Sequence, residues 1–184
     1  MMELVFFLEE LSARAMLEGF LPKIVSDLVR CRFIVFEGKQ DLERQMVKRM
    51  RGYLVPYARF VVLRDKDSED CRDVKRRLVG KCAEGNHPDS LVRVACHELE
   101  SWYLGDLAAV EAALGFTGLA RQQHKTPYDK PDDMAAPARK LQSISPTYQK
   151  VGGSRAIGPY LDPVKNRSQS FGIFVAGVQE LVVP

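Results

Sequence analysis

Long apolar runs are absent from this sequence of 184 residues. A helix that crosses a bilayer needs about 20 predominantly apolar residues, and no stretch here approaches that length. The first ten residues include Glu3, Glu9 and Glu10, and they have neither the basic start nor the small-residue cleavage site of a secretory signal. Because 46% of the residues are hydrophobic and 28% are charged, the composition is that of a globular protein in water. We therefore expect a cytoplasmic protein without a membrane partner.

Cysteine and histidine are scarce, which argues against a structural zinc site. The four cysteines form no Cys-x-x-Cys pair, and the three histidines do not supply the missing close spacing. We expect free thiols in a reducing compartment. The sequence also lacks a P-loop, a glycine-rich dinucleotide fingerprint and a recognisable Ser-His-Asp or Cys-His arrangement. Enzyme classes that depend on those motifs find no support.

A strong net charge is also missing, since the formal value is only +3. The positive residues are nevertheless clustered: Lys48, Arg49 and Arg51 in one stretch, and Lys75, Arg76, Arg77 and Lys81 in another. Such clusters can neutralise the phosphates of a nucleic acid. They are equally typical of solvated helix faces and of helix C-termini, which favour cations. The sequence leaves both interpretations open.

The first half of the chain alternates short apolar runs with amphipathic segments. Four runs predict strands, at residues 4–8, 32–36, 60–63 and 91–95. The apolar spacing between them predicts three helices: one that starts at Ser12 and is kinked or divided by Pro22, one over 41–51, and one capped by Ser68 or Asp70. Strands that alternate with helices form parallel sheets of βαβ units. We predict an α/β, Rossmann-like core with a mostly parallel four-stranded sheet flanked by helices.

The second half of the chain changes character after residue 114. Residues 98–114 have the spacing of a helix, and 115–163 are rich in proline and glycine, which predicts short helices and turns. Residues 168–182 predict a last amphipathic helix. We therefore place the α/β core at 1–114 and a helical, loop-rich extension packed on it at 115–184.

Acidic residues follow three of the four predicted strands. These are Glu9 and Glu10 after the first strand, Asp65 and Asp67 after the third, and Glu98 and Glu100 after the fourth. Ligands of parallel sheets bind beyond the carboxyl ends of the strands. Hard divalent cations prefer oxygen ligands, and Mg²⁺ is usually held by one or two carboxylates together with waters. The pattern predicts one acidic pocket that holds Mg²⁺ or Mn²⁺.

The spacing assigns separate roles to these acids. Residues i and i+2 of an extended segment project the same way, so Asp65 and Asp67 should lie together, and their repulsion favours a cation. The same alternation implies that at most one residue of the first pair faces the pocket, and we favour Glu9 as metal ligand or general base. Glu98 is the candidate after the fourth strand.

Each of these acids also has an ordinary structural explanation. An Asp is common in turns and helix caps, which could explain Asp65 and Asp67. Glu9 could belong to a solvated loop. Glu98 and Glu100 could stabilise the dipole of the helix that follows.

Taken together, these residues resemble a TOPRIM domain, the fold shared by topoisomerases, primases and nucleases of the overcoming-lysogenisation-defect (OLD) family. In that pattern a Glu ends the first strand and an Asp-x-Asp follows a later one, and Glu9 and Asp65-Lys66-Asp67 hold those places. The nearest likeness is to a family of small TOPRIM-like proteins of unknown function, often encoded beside an ATPase. Further stretches carry the likeness over nearly the whole chain, at 36–42, 98–106, 148–150 and 166–171.

The resemblance implies Mg²⁺-dependent hydrolysis of phosphodiesters, that is, a nuclease that acts on DNA more readily than on RNA and works with an ATPase partner. Asp65 and Asp67 would hold the metal, and Glu9 would complete the site or handle a proton. Three cations could neutralise phosphate charge in such a site: Lys39, Lys150 and Arg167. One departure is that Glu10 stands where the family usually has a glycine, which allows close backbone approach.

Two other functions remain open at this point. The first is a module without catalytic activity that binds nucleic acid or an ATPase. The second is a phosphatase of the haloacid-dehalogenase type, which also uses Asp-x-Asp after a strand, although that family places the pair near its N-terminal strand. Since the chain has no tyrosine domain of a topoisomerase and no zinc ribbon of a primase, hydrolysis is the TOPRIM activity that remains.

Overall fold

The structure, a computed structural model, describes residues 2–183 and contains four strands and eight helices in that range. The strands are β1 (Glu3–Leu8), β2 (Arg30–Val35), β3 (Ala58–Asp65) and β4 (Leu91–Ala95). The helices are α1 (Leu11–Phe20), α2 (Lys39–Arg51), α3 (Cys71–Glu84), α4 (Glu100–Leu104), α5 (Leu107–Leu114), α6 (Pro137–Ile144), α7 (Lys150–Ile157) and α8 (Gln169–Val182). No helix among the described residues is both long and apolar enough to span a membrane.

The four strands form one sheet in the order β2-β1-β3-β4, and every neighbouring pair is parallel. Leu8 at the end of β1 lies opposite Val35 and Leu63, and Asp65 at the end of β3 lies opposite Ala95. The carboxyl ends of all four strands therefore meet at one edge. This confirms the predicted α/β class with a four-stranded sheet, and the sheet proves to be parallel throughout.

Helices cover both faces of the sheet, which explains why β1 is buried along its whole length. Alternate residues of β1 enter two separate cores: Val5 and Phe7 pack with α2 and α3, and Leu4, Phe6 and Leu8 pack with α1 and the helices after β4. The C-terminal extension belongs to the second core, where the ring of Trp102 packs against those of Phe171 and Phe174. The predicted boundary at residue 114 coincides with the end of α5.

Several predicted boundaries differ from the structure. The N-cap of α1 is Glu10, because Ser12 already lies inside the helix and its hydroxyl donates to Glu10 at 2.5 Å. The helix ends at Phe20, before Pro22, and a 3₁₀ turn follows. β2 begins two residues earlier than predicted, and β3 extends to Asp65.

Two aspartates determine where helices α3 and α5 begin. Asp70 caps α3 by accepting from two backbone N–H groups, as one of the two predicted alternatives required. The single helix predicted over 98–114 is divided, because Asp106 caps α5 by accepting from the N–H of Ala109 at 3.0 Å. The sequence signal for this break is Gly105-Asp106, a helix stop followed by an N-cap residue.

Candidate functional site

Glu9 and Asp65 meet at the carboxyl edge of the two central strands. Asp65 is the last residue of β3, and Glu9 directly follows β1, its neighbour in the sheet. The backbone N–H of Asp65 donates to Oε2 of Glu9 at 3.2 Å. The sheet register therefore joins two acids that are 56 positions apart in the sequence, as the acidic-edge hypothesis required.

Asp67 lies differently from the prediction. Its backbone has φ of +55°, in the left-handed region, so the segment from Asp65 to Asp67 is not an extended strand. The N–H of Asp67 donates to the carbonyl of His97 at 2.8 Å, and its carboxylate accepts from Nζ of Lys39 at 2.6 Å. The two aspartates do not share one strand face, because hydrogen bonds to the loop after β4 turn the chain between them.

Asp67 belongs to a group that we term the cation-matched cluster: Asp67, Glu43 and Glu69 with Lys39, Arg64 and Arg77. Arg64 projects from β3 and is buried, and its guanidinium donates to Glu43 at 2.6 Å and to Glu69. Arg77 of α3 donates to the same two carboxylates at 2.8–3.0 Å. Hydrogen bonds from Arg77 and Arg64 lower the pKa of Glu69 to about 2. Three carboxylates here meet three cations.

A second group has far fewer cations, and we term it the carboxylate-rich cluster: Glu10, Asp65 and Glu100 with Lys150. Nζ of Lys150 lies 3.3 Å from Oε1 of Glu10. Lys150 is the first residue of α7, so the C-terminal extension supplies this cation. Glu9 lies between the two clusters, with Oε2 3.8 Å from Nε of Arg64.

Glu100 is the most unusual member of the carboxylate-rich cluster. Its side chain is buried, with 1% of the residue exposed. Oε1 accepts from the hydroxyl of Tyr148 at 3.1 Å, whereas Oε2 has no hydrogen-bond partner among the described residues. A buried carboxylate oxygen without a partner is costly and rare in proteins. Glu100 therefore retains an oxygen that can bind a cation or hold a proton.

The pKa values of three carboxyl groups at this edge, those of Asp65, Glu9 and Glu100, are raised. Burial raises the pKa of Asp65 well above its usual range, and the charges of Glu9, Glu100 and Glu10 raise it further. Burial also raises the pKa of Glu9, to which the charge of Asp67 adds, and it raises the pKa of Glu100. The amine shows the complementary effect: burial alone would lower the pKa of Lys150, but the surrounding carboxylates raise it.

Two of the predicted site residues lie elsewhere. Oε2 of Glu98 accepts from the N–H of Ala138 at 2.8 Å, so this carboxylate binds the first turn of α6. Arg167 lines a separate groove of about 520 Å³ together with Asp106 and His124. Its neighbour Asn166 donates to the carbonyl of Trp102 at 2.8 Å, so this part of the 166–171 stretch joins α8 to α4.

The sequence reasoning preferred Glu9 to Glu10 and Glu98 to Glu100, and it did not consider Arg64. The charge of Glu10 also raises the pKa of Asp65, so the first pair contributes more charge to the site than the single Glu9 that strand alternation favoured. The chain leaves β1 at Leu8, and strand alternation no longer applies to an N-cap residue. Glu100 replaces Glu98 because α4 buries it. Arg64 directly follows the apolar run 60–63 and precedes Asp65, a signal that the prediction did not use.

The oxygen atoms at this edge are possible ligands of a divalent cation. Within residues 2–183, no three His, Cys, Asp or Glu side chains are arranged closely enough to enclose a metal ion by themselves. Mg²⁺ does not require such a cage, because it keeps several waters and binds one or two carboxylates. Asp65 and Glu9, with the unpartnered oxygen of Glu100 nearby, offer that minimal set. These are the residues that could hold a hydrated Mg²⁺ or Mn²⁺.

The fold and this edge define an α/β protein with a parallel sheet that is covered on both faces and carries acids at the ends of its central strands. The model of the family described as domain of unknown function DUF4276 matches residues 8–179. The chain therefore belongs to this family. Comparison with curated proteins and with solved structures gave no match.

Proposed function

We propose that this protein is a metal-dependent nuclease that hydrolyses phosphodiesters, with DNA as a more suitable substrate than RNA. The observation that carries the proposal is the excess of carboxylate at the carboxyl edge of β1 and β3, where Glu10, Asp65 and Glu100 face one lysine. Carboxylates held together in this way repel one another unless a cation or a proton is added. A site with this need is suited to bind a divalent cation.

Asp65 and Glu9 would hold the cation, with the free oxygen of Glu100 as a further donor. When bound, a divalent cation polarises a phosphate oxygen and lowers the pKa of a bound water. Asp67 would not bind this cation directly, because its carboxylate accepts a hydrogen bond from Lys39. Its charge raises the pKa of Glu9. This proposal gives no role at the metal to Glu98, which binds α6, and no phosphate contact to Arg167, which lines another groove.

The chain's own groups supply the proton transfer and the phosphate contacts. In hydrolysis a water oxygen bonds to phosphorus, the phosphorus–oxygen bond to the leaving nucleotide breaks, and the departing oxygen takes up a proton. Glu9 has two alternative roles, as a ligand of the cation or as the base that takes the proton of the attacking water. Its raised pKa suits the second role, in which Asp65 and Glu100 hold the cation without it. Lys39 and Lys150 lie at the same edge and can neutralise phosphate charge.

The resemblance of Glu9 and Asp65-Lys66-Asp67 to the TOPRIM pattern supports the same chemistry. It also supports a separate ATPase as partner, since the small TOPRIM-like proteins are often encoded beside one. Both are inferences from the likeness of motifs, and they add to the charge argument above.

The direct test is cleavage of plasmid and single-stranded DNA by the purified protein with Mg²⁺ or Mn²⁺. Wild type should cut only with metal, and Asp65→Asn should lose at least about 100-fold in rate, as expected when a metal ligand is removed. Asp89→Asn is the matched control, because Asp89 is exposed beside the start of β4, at the opposite edge of the sheet.

Metal binding should be measured separately by the shift in thermal unfolding on adding Mn²⁺. Wild type and Asp89→Asn should be stabilised by the metal, whereas Asp65→Asn should not, because ligand binding stabilises only the state that binds it. Equal stabilisation of all three proteins would contradict the assigned site. Release of phosphate from p-nitrophenyl phosphate without cleavage of DNA would favour the phosphatase alternative.

A module without catalytic activity is the second candidate, and Lys150 favours it. Its ammonium group already lies against Glu10, and its charge opposes the rise in the pKa of Glu100, so the protein itself supplies one cation to the cluster. This candidate predicts binding of DNA or of an ATPase that Asp65→Asn leaves intact, with no cleavage by wild type under any metal.

A further inference from the structure

A groove with unpaired cations lies on the flank of the molecule, between the edge strand β2 and helix α2. It encloses about 530 Å³, and its lining residues are Arg32, Ile34, Gln45, Lys48, Arg49, Gly52 and Tyr53. The lining contains three cations and no acid. Arg32, Lys48 and Arg49 are exposed. We refer to this surface as the basic groove.

The cations of the basic groove differ from the two arginines of the other basic stretch, whereas Lys75 and Lys81 of that stretch are also unpaired among the described residues. On α3, Arg76 pairs with Asp73 at 3.0 Å, and Arg77 pairs with Glu43 and Glu69. By contrast, none of the three groove cations lies within 4.0 Å of a carboxylate oxygen of the described residues. The fold uses the guanidinium of Arg77 internally and leaves the groove cations free for a ligand.

Tyr53, which lines the groove, is held in place by contacts with the sheet. The hydroxyl of Tyr53 donates to the buried carboxylate of Glu3 at 2.6 Å, and its ring packs edge-on against Phe60. The guanidinium carbon of Arg32 lies 5.7 Å from the centre of the same ring. The helix dipole can explain Lys48 and Arg49 at the end of α2. It cannot explain Arg32, which comes from a strand.

Helix α2 links this groove to the candidate site. Lys39, its first residue, contacts Asp67 at the carboxyl edge, and Arg49 lies in the groove ten residues later (49 − 39). At about 1.5 Å per residue, the two points are about 15 Å apart along the helix. A single strand carries one phosphate for each nucleotide, so a strand of several nucleotides spans that distance.

From this geometry we infer that the basic groove binds the phosphate backbone of a nucleic-acid strand. The bound phosphates would lie several nucleotides away from the phosphodiester that is hydrolysed at the carboxyl edge. The inference rests on the proposed function in taking nucleic acid as the substrate. It adds a surface outside the acidic edge and assigns the phosphate contacts to Arg32, Lys48 and Arg49. Neutralised phosphates release counterions, so these contacts make binding dependent on salt.

The test is fluorescence anisotropy of a labelled single-stranded DNA with the full-length protein in EDTA, over a series of salt concentrations. The double variant Lys48→Gln/Arg49→Gln should bind several-fold more weakly at low salt. The log–log salt slope should become shallower by about 1.4, since each lost phosphate contact removes about 0.7 for a single strand. Arg72→Gln/Lys75→Gln is the matched control, because it removes two exposed cations of α3 that have no ion-pair partner among the described residues.

Equal losses in the two double variants would overturn the inference, since binding would then follow net charge alone. Competition by polyglutamate as strong as that by unlabelled DNA would also overturn it, because the surface would then suit an acidic protein segment. If wild type cleaves DNA and the groove variant binds DNA normally, the inference about the groove is wrong and the nuclease proposal stands. If the groove variant binds DNA more weakly but wild type never cleaves it, the groove is a nucleic-acid site and the nuclease proposal is wrong.

Discussion

The two clusters at the carboxyl edge of the sheet have the same number of carboxylates and different numbers of cations. In the cation-matched cluster, Asp67, Glu43 and Glu69 meet Lys39, Arg64 and Arg77. In the carboxylate-rich cluster, Glu10, Asp65 and Glu100 meet Lys150 alone. Glu9 lies on the border and contacts both Arg64 and the backbone of Asp65. The difference in charge balance is therefore built into one short stretch of the sheet edge.

The pKa shifts follow this balance. Arginine hydrogen bonds lower the pKa of Glu69 to about 2, whereas burial and neighbouring acids raise the pKa of Asp65 and of Glu100. Structural ion pairs stabilise charge, whereas functional sites often keep charge without compensation. The comparison indicates that the first cluster holds α2, α3 and β3 together, and the proposed function assigns ligand binding to the second.

The largest effect should come from Arg64→Met. The variant removes a buried cation and leaves Glu43 and Glu69 with the partly exposed Arg77 as their remaining arginine partner. Breaking a buried ion pair costs about 3–5 kcal/mol, and because both carboxylates are partly exposed we expect about 3 kcal/mol less free energy of unfolding. Urea denaturation measures this, with the exposed Arg76→Met as control at about 0.5 kcal/mol or less. Equal losses in both variants would mean that the cation-matched cluster is not structural.

The next largest effect is expected for Tyr148→Phe, which removes the only hydrogen bond that the side chain of Glu100 accepts from another side chain among the described residues. A buried acceptor without a partner costs about 1–3 kcal/mol, so the free energy of unfolding should fall by about 1–2 kcal/mol. Thermal unfolding measures the change, and Tyr57→Phe, at an exposed position, should be neutral. An unchanged stability would show that Glu100 is neutral and needs no partner.

Asp65→Asn should act in the opposite direction and stabilise the metal-free protein. The raised pKa means that the ionised carboxylate destabilises the fold at neutral pH, so a neutral amide should add about 0.5–2 kcal/mol. The penalty is complete above the raised pKa of Asp65 and disappears as the pH falls through it towards the usual 3.8. The advantage of the variant should therefore shrink on acidification. Denaturation at a series of pH values tests this, and a destabilised variant at pH 7.5 would contradict the charge balance.

The smallest effect is expected for Glu69→Gln, the counterpart of Asp65→Asn in the other cluster. Because the pKa of Glu69 is lowered to about 2, its stabilisation is complete above its usual 4.5 and is lost as the pH falls towards 2. The side chain is 35% exposed, so solvent screening limits the loss to about 1 kcal/mol or less at neutral pH. The same pH series should show the difference between wild type and variant vanish in acid. A gain in stability at neutral pH would erase the distinction between the clusters.

The alternation of apolar runs was sufficient to predict the α/β class, and residues 91–95 match β4 in both bounds. The sheet edge was predictable for the same reason, because acids that follow parallel strands must arrive at one side. This reasoning placed Glu9 and Asp65 together correctly. It failed for Asp67, whose left-handed backbone depends on the hydrogen bond to His97 in another loop.

The sequence by itself thus determined the parallel sheet and the presence of acids at its carboxyl edge, because the period of a strand and the residues that follow it are local properties. Only the tertiary structure decided which acids are compensated. Arg64 and Arg77 reach Glu43 and Glu69 because α2 and α3 pack on one face, whereas Lys150 reaches Glu10 from 140 positions away because α7 packs against α1 on the other. Charge balance depends on distances in space and on burial, and neither is a property of a residue's position in the chain.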